Sequence, residues 1–228
     1  MIVCRHGYNL GEFMLNLRNF DIMSFLYQLL ALLIAFSFHE FAHALVADRL
    51  GDPTPRQQGR LTLDPLAHID VIGFLLLLIA GFGWAKPVEI DPRNFKNRKW
   101  GDVLVAIAGP LTNLLIALIA YLILFFMPNS LTSGSKIIFN ILWAIIVLNI
   151  GLAVFNILPI PPLDGYHVVK SLFFKYNVKF FWEFERYSFI LLIILIITGV
   201  ISRIMNPLMN LVINGMNFIA IILQSIFF

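Results

Sequence analysis

The chain has 228 residues, of which 60% are hydrophobic and 13% are charged. Soluble domains carry roughly 25% charged residues, so this composition excludes an ordinary soluble protein and predicts an all-α polytopic membrane protein. The formal net charge of +3 comes from basic residues between the apolar runs, which is typical of cytoplasmic anchors and implies no nucleic-acid partner.

The first 22 residues form a polar and aperiodic stretch that differs from the rest of the chain. They lack the order of basic, apolar and small residues found in a secretory signal peptide. We expect translation to start near Met23, which would make residues 1–22 a leader that is not native; the alternative is a short amphipathic or disordered leader. Because no internal repeat or low-complexity linker follows, residues 23–228 are predicted to form a single membrane-embedded domain.

About five to six hydrophobic segments follow, and a helix needs about 20 apolar residues to cross a membrane. They cover residues 24–50, 71–85, 102–127, 136–158, 188–201 and 204–228. Residues 71–85 are short for a span and contain three glycines, so a re-entrant element or hairpin fits them as well as a helix does. Basic residues outnumber acidic ones at 86–99, which places this connection on the cytoplasmic side.

The first segment contains two histidines and a glutamate in the pattern His39-Glu40-x-x-His43. Ionisable groups are costly at membrane depth and usually have a function there. On an α-helix, residues i and i+4 project from one face, so both imidazoles can reach one metal ion, and zinc suits such ligands. Glu40 lies about 100° away around the helix axis, where it could serve as the general base. The alternative is a histidine pair that hydrogen-bonds to neighbouring helices.

A catalytic zinc needs a third protein ligand, and the single cysteine, Cys4, cannot supply a cysteine cluster. The candidate is Asp164, in the apolar stretch FNILPIPPLDGYH at residues 155–167. Its three prolines prevent a continuous helix, and such backbone is tolerated at membrane depth only when it is buried in protein or lines a wet cavity. The alternative is that Asp164 caps the helix that begins near Gly165, and one carboxylate can do both.

Three motifs, in this order, resemble those of the site-2 protease family of intramembrane zinc metalloproteases. They are HEFAH at 39–43, AGPLTN at 108–113 and NILPIPPLDG at 156–165. The likeness extends from residue 24 to residue 172, and residues 83–97 resemble the compact branch of the family, which has no PDZ domain. One departure is that the common Asp-Gly-Gly is Asp-Gly-Tyr here, which leaves the metal ligand intact.

The resemblance implies a three-helix metalloprotease core around one Zn²⁺ per chain. The zinc would be bound by His39, His43 and Asp164, with Glu40 as the general base. The resemblance also implies that Asn156 holds the substrate backbone or the developing oxyanion. The alternative for Asn156 is that its amide satisfies carbonyls freed by the prolines.

Four other residues near these motifs are candidates for a role. Asn113 is a second candidate for substrate binding and can also hydrogen-bond across to the helix that carries the histidines, and the alternative is ordinary hydrogen bonding between helices. Gly109 lies one helical turn before it and is predicted to allow close helix packing. His68 and His167 could support the zinc or could simply be solvated, and the sequence leaves their roles open.

The sequence therefore predicts an intramembrane zinc endopeptidase that cleaves in or near transmembrane segments of membrane proteins. A zinc-binding transporter or a non-catalytic membrane scaffold is the alternative. A transporter should show more acidic or histidine steps along its path, and a structural zinc usually has all four positions filled by protein. The predicted partners are a membrane-protein substrate and the lipid bilayer, in a prokaryotic cell membrane with the site towards the cytoplasm. Substrate identity, cleavage preference and oligomeric state stay open.

Overall fold

The computed structural model describes residues 21–70, 72–73, 85–128, 133–173 and 178–227. Within these ranges the helices are α1 Ile22–Arg49, α2 Thr54–Gln57, α3 Pro65–His68, α4 Arg98–Phe126, α5 Ser133–Ile157, α6 Asp164–Phe173, α7 Val178–Ile197 and α8 Val200–Phe227, with one 3-10 turn at Pro92–Asn94. Of the described helices, α1, α4, α5 and α8 are long and apolar enough to cross a membrane. The predicted all-α polytopic membrane protein is confirmed.

The ends of α1 are set by local sequence signals. The Asp21 carboxylate accepts hydrogen bonds from the backbone N–H groups of Met23 and Ser24, which satisfies two donors that a helix start leaves unpaired. The helix stops where Gly51 adopts a φ of 106°, a conformation that glycine reaches without steric cost. Residues 1–20 of the predicted leader lie outside the described residues.

Helices α1, α4 and α5 pack against one another and form the predicted three-helix core. Small side chains lie where the helices meet: Ala31, Ala44, Ala117 and Ala144 are fully buried. Small residues allow membrane helices to approach closely, which increases the van der Waals contact that holds them together in lipid. The close packing brings polar side chains on the three helices within hydrogen-bonding distance of each other.

Helix α8 packs against α4 and α5. Its Met209 and Ile213 join a cluster of buried side chains with Tyr121 of α4 and Ile146 of α5. The Tyr121 hydroxyl donates to Asn217 Oδ1 at 3.1 Å. The predicted closing pair at 188–201 and 204–228 corresponds to α7 and α8, but α7 already begins at Val178. Its first turns carry charged residues, which sequence hydropathy alone assigns to a solvated connection.

The connection between α1 and α4 is held together by a buried carboxylate, Asp52. Its oxygens accept hydrogen bonds from the backbone and hydroxyl of Thr54, the backbone N–H of Asp91 and the amide of Asn94. Burial alone would raise the pKa of Asp52, but these hydrogen bonds outweigh it and hold the pKa below its ordinary value. Asp52 thus fastens the segment before α4 to the end of α1.

The two described flanks of the predicted re-entrant element lie side by side. Ile69 and Ala85 form an antiparallel bridge, and the Lys86 N–H donates to the His68 carbonyl at 2.8 Å. The two ends of the predicted element therefore lie next to each other in the fold. The predicted element at 71–85 itself lies outside the described residues, apart from 72–73 and 85.

Candidate metal centre

Two imidazoles face each other on one side of α1, as the spacing of the HEFAH motif predicts. His39 and His43 are buried, with 4% and 6% of their surface exposed. Their ring planes are nearly perpendicular, with centroids 4.6 Å apart, and their Nε2 atoms are 3.0 Å apart. This separation is expected for two ligand atoms that share one ion.

The Asp164 carboxylate completes the group from the N-terminus of α6. Its Oδ2 lies 3.1 Å from His39 Nε2 and 3.4 Å from His43 Nε2. The prolines after α5 end that helix, and Gly165 lets α6 begin directly beside it. A Cβ on Gly165 would lie 2.0 Å from the Ile157 carbonyl oxygen, so a side chain there would push Asp164 away from the histidines.

The three ligand atoms fit a tetrahedral zinc. For metal–ligand bonds of about 2.0–2.1 Å, the atoms at two corners of a tetrahedron are about 3.3 Å apart, close to the 3.0, 3.1 and 3.4 Å found here. Asp164 Oδ2 is buried and has no hydrogen-bond partner among the described residues, although buried oxygens nearly always have one. A bound cation would supply the missing partner, and two imidazoles with a carboxylate are a donor set that zinc prefers.

Hydrogen bonds on the far side of each imidazole fix its tautomer. The His43 Nδ1–H donates to the Val105 carbonyl at 2.7 Å, because a carbonyl oxygen can only accept. His39 Nδ1 lies 3.1 Å from Asn113 Oδ1 and donates to it. Both Nε2 atoms therefore direct a lone pair at the centre, as a metal-binding histidine requires. Without a cation, the two lone pairs would repel each other.

Gly109 of α4 lies directly against the two histidines. A Cβ added there would lie 2.4 Å from His43 Nε2 and 2.7 Å from His39 Nε2. The sequence predicted only a packing role for this glycine. The structure shows that the packing it allows is against the candidate ligands themselves, a contact that sequence spacing on α4 alone does not reveal.

Glu40 is held beside this group by the connection before α4. Its Oε2 accepts the backbone N–H of Val88 at 3.0 Å, and only 8% of its surface is exposed. The described contacts give Oε1 no protein hydrogen bond. One carboxylate oxygen is thus anchored to the backbone of the connection before α4.

The remaining predicted residues lie in different surroundings. The Asn156 amide donates to the Leu152 carbonyl at 3.1 Å within its own helix, and Leu152 is not one of the carbonyls that the prolines would free. Asn113 is fully buried behind His39. Substrate binding by either residue stays a prediction. His68 is buried and its Nε2 donates to the Thr62 carbonyl at 2.8 Å, whereas His167 is exposed; neither belongs to the described ligand group.

Comparisons with known proteins agree with this geometry. The model of Peptidase family M50 matches residues 27–134 and 129–199. The chain belongs to Peptidase family M50. Three relatives share the name "Putative zinc metalloprotease". YwhC of Bacillus subtilis is 40% identical over 81% of this chain and 86% of its own length. A Methanocaldococcus jannaschii protein is 34% identical over 69% and 76%. Rip2 of Mycolicibacterium smegmatis is 29% identical over 75% and 66%. No solved structure matches the chain.

Membership of the M50 family confirms the resemblance to site-2 proteases that the three motifs predicted. The protein is a zinc metalloprotease, and Zn²⁺ is its cofactor. Tyr166, the departure from Asp-Gly-Gly, is buried, and its hydroxyl donates to Glu185 Oε1 of α7 at 2.8 Å. In this M50 peptidase the tyrosine therefore fastens α6, with Asp164 at its start, to the next helix.

Proposed function

We propose that this zinc metalloprotease is an intramembrane endopeptidase, which hydrolyses peptide bonds in or near transmembrane segments of membrane proteins. The observation that carries the proposal is an apolar cavity of about 470 Å³ that reaches Asp164. The cavity is lined by Ala106, Ile107, Pro110, Leu111, Leu114, Ile157, Pro159, Asp164, Gly165, Val168 and Val169. Among the lining residues that the structure describes, Asp164 alone is ionisable. A peptide segment that occupies the cavity beside the metal must therefore be apolar.

The rim of the cavity supports access from the membrane. Ile107, Leu111 and Ile157 have 44%, 61% and 56% of their surfaces exposed. Exposed aliphatic side chains on a spanning helix such as α4 are suited to contact with lipid. A transmembrane substrate can thus approach the metal centre from the bilayer without passing through water.

The residues of the centre have separate tasks in this proposal. His39, His43 and Asp164 hold the zinc, which when bound supplies a Lewis acid that activates water and polarises the scissile carbonyl. Glu40 takes the proton from the attacking water through Oε1, while Val88 keeps the carboxylate in place through Oε2. Asn156 binds the substrate backbone beside the reacting carbonyl, as its place in the third motif suggests.

We further propose a prokaryotic cell membrane with the centre towards the cytoplasm. The basic residues at 86–99 favour the cytoplasmic side for the connection that Asp52 fastens to the end of α1. Helix α1 would then run from outside to inside. A cysteine in place of the exposed Gln58 should react with a membrane-impermeant reagent only from the cytoplasmic face, and labelling only from outside would reverse the orientation.

The proposal is tested with purified protein in liposomes that also contain a membrane-embedded reporter. We expect cleavage, its loss after zinc chelation and its return when Zn²⁺ is added. The same reporter segment in a soluble carrier should be cleaved much more slowly. Equal cleavage of both would refute the intramembrane part. Zinc binding without cleavage of any reporter would favour the transporter or scaffold alternative.

A further inference from the structure

A chain of buried amides connects the three helices of the core behind His39. Asn113 of α4 and Asn149 of α5 are both fully buried. The Asn113 Nδ2 donates to Asn149 Oδ1 at 3.2 Å, and the Asn113 Oδ1 faces His39 Nδ1 at 3.1 Å. The path therefore begins on α5 and ends at a candidate metal ligand on α1.

The donor and the acceptor of each hydrogen bond in this series of amides follow from its last bond, which Asn149 makes to a backbone carbonyl. The Asn149 Nδ2 donates to the Ile145 carbonyl at 2.8 Å, and a carbonyl can only accept. The other end of the Asn149 amide, its oxygen, must therefore face Asn113. This orients the Asn113 amide with its nitrogen towards Asn149 and its oxygen towards His39, which in turn must carry its proton on Nδ1.

We infer that Asn149 is a positioning residue for the metal centre, which fixes the tautomer and ring orientation of His39 through Asn113. The inference rests on the proposed ligand role of His39. Its chemistry is that of an outer hydrogen-bond partner, which holds a metal-binding imidazole so that the opposite nitrogen directs its lone pair at the ion. Asn149 touches neither the metal ligands nor the cavity that reaches Asp164.

The second acceptor near Asn113 does not replace Asn149. The Asn113 Nδ2 also approaches the Ala35 carbonyl, at 3.3 Å. Ala35 lies four residues before His39 on α1, so its carbonyl is the regular acceptor of the His39 backbone N–H. The described hydrogen bonds give Asn149 Oδ1 no donor other than Asn113. His43, by contrast, donates directly to a backbone carbonyl and needs no side chain behind it.

The test compares zinc affinity among variants by competition with a chelator. Asn149→Leu has a similar size and no polar atom, so it should weaken zinc binding about tenfold, at the low end of the 10–100-fold range for outer partners. Asn149→Asp keeps an oxygen towards Asn113 and should bind zinc within about threefold of the native protein. Asn140→Leu makes the same change on α5 at a position with no described bond to the site, and should leave affinity unchanged.

If Asn149 only supported folding, Asn149→Asp should weaken zinc binding more than Asn149→Leu does. The reason is that a buried carboxylate destabilises a helix bundle more than leucine does. Thermal unfolding of the metal-free variants measures that contribution separately. Asn149→Asp binding as weakly as Asn149→Leu, native affinity in Asn149→Leu, or equal losses in Asn140→Leu would each overturn the inference. Should Asn149→Leu fail to fold, the affinity of Asn149→Asp decides alone.

A double variant tests whether Asn149 acts on His39 through Asn113. In an Asn113→Leu background, Asn149→Leu should cause no further loss of zinc affinity, since the connection to His39 is already broken. Additive losses would contradict the relay. Zinc affinity is measured without any substrate, so a protein that binds zinc with the expected order but cleaves no reporter would leave this inference standing and refute the proposed protease function.

Discussion

Replacement of Gly109 by alanine should remove zinc while leaving the protein folded. The new methyl group would lie 2.4 Å from His43 Nε2 and 2.6 Å from His39 Cε1, about 1 Å closer than the 3.4 Å at which ordinary contact begins. Metal–ligand distances tolerate only about ±0.2 Å. Either the imidazoles or α4 must move several times further than this, so we expect zinc affinity to fall by more than 100-fold.

The cost to folding should be much smaller than the cost to binding. Overpacking a methyl group costs about 1–3 kcal/mol, while alanine gains up to about 1 kcal/mol of helix propensity over glycine. In the metal-free protein the imidazoles can turn away from the methyl group, which reduces the strain. Thermal unfolding of metal-free Gly109→Ala should therefore remain cooperative and shift only modestly.

Gly151→Ala is the matched control in another core helix. A Cβ at Gly151 meets its nearest described neighbour, Met209 Cε, at 3.6 Å, which is ordinary contact. It should bind one zinc per chain, as measured by elemental analysis after dialysis and by chelator competition. If Gly109→Ala also retained zinc with an affinity within threefold of the native protein, the described contact between α4 and the two histidines would be wrong.

Two further predictions concern the cavity and the connection. Ala106→Phe places a ring in the cavity beside Asp164 and should reduce reporter cleavage at least tenfold with zinc retained. Leu115→Phe, on the exposed side of α4, should not reduce cleavage. Equal cleavage by both variants would contradict the cavity as the substrate site. Asp52→Asn should lower the melting temperature of the chelated protein at pH 7. Because the pKa of Asp52 is lowered by folding, its stabilisation is present above about pH 4 and is lost as the pH falls through the folded pKa, so the difference between native and variant should shrink at low pH. A difference that grows on acidification would refute this sign.

The parts of the centre that lie within one helix could be predicted from the sequence. The spacing of His39 and His43 fixes their common face because the period of an α-helix is known. Asp164 was recognisable as an acidic residue out of place in an apolar, proline-rich stretch. The four long apolar helices follow from hydropathy in the same way.

Most contacts between helices could not be predicted, since they depend on how the helices rotate against each other. A hydrogen bond between Asn113 and the first helix was one of the predictions, and the structure has it. Nothing in the spacing on α4 says that Gly109 meets the two histidines. The connection of Asn149 to His39 requires three helices to be in place. Two of the partners of Asp52, Asp91 and Asn94, lie about 40 residues further along the chain, so its burial was not visible in the local sequence.

The central claim, that Asp164 binds the metal and Glu40 acts on the water, is tested most directly by zinc content and cleavage measured together in two variants. Glu40→Gln keeps the shape and an acceptor for Val88 but cannot take the proton, so it should retain one zinc per chain and lose roughly 10²- to 10⁴-fold in cleavage rate. Asp164→Ala leaves two histidines, too few for a stable tetrahedral site, and should lose zinc and activity together. Full zinc and activity in Asp164→Ala, or normal cleavage by Glu40→Gln, would contradict the account.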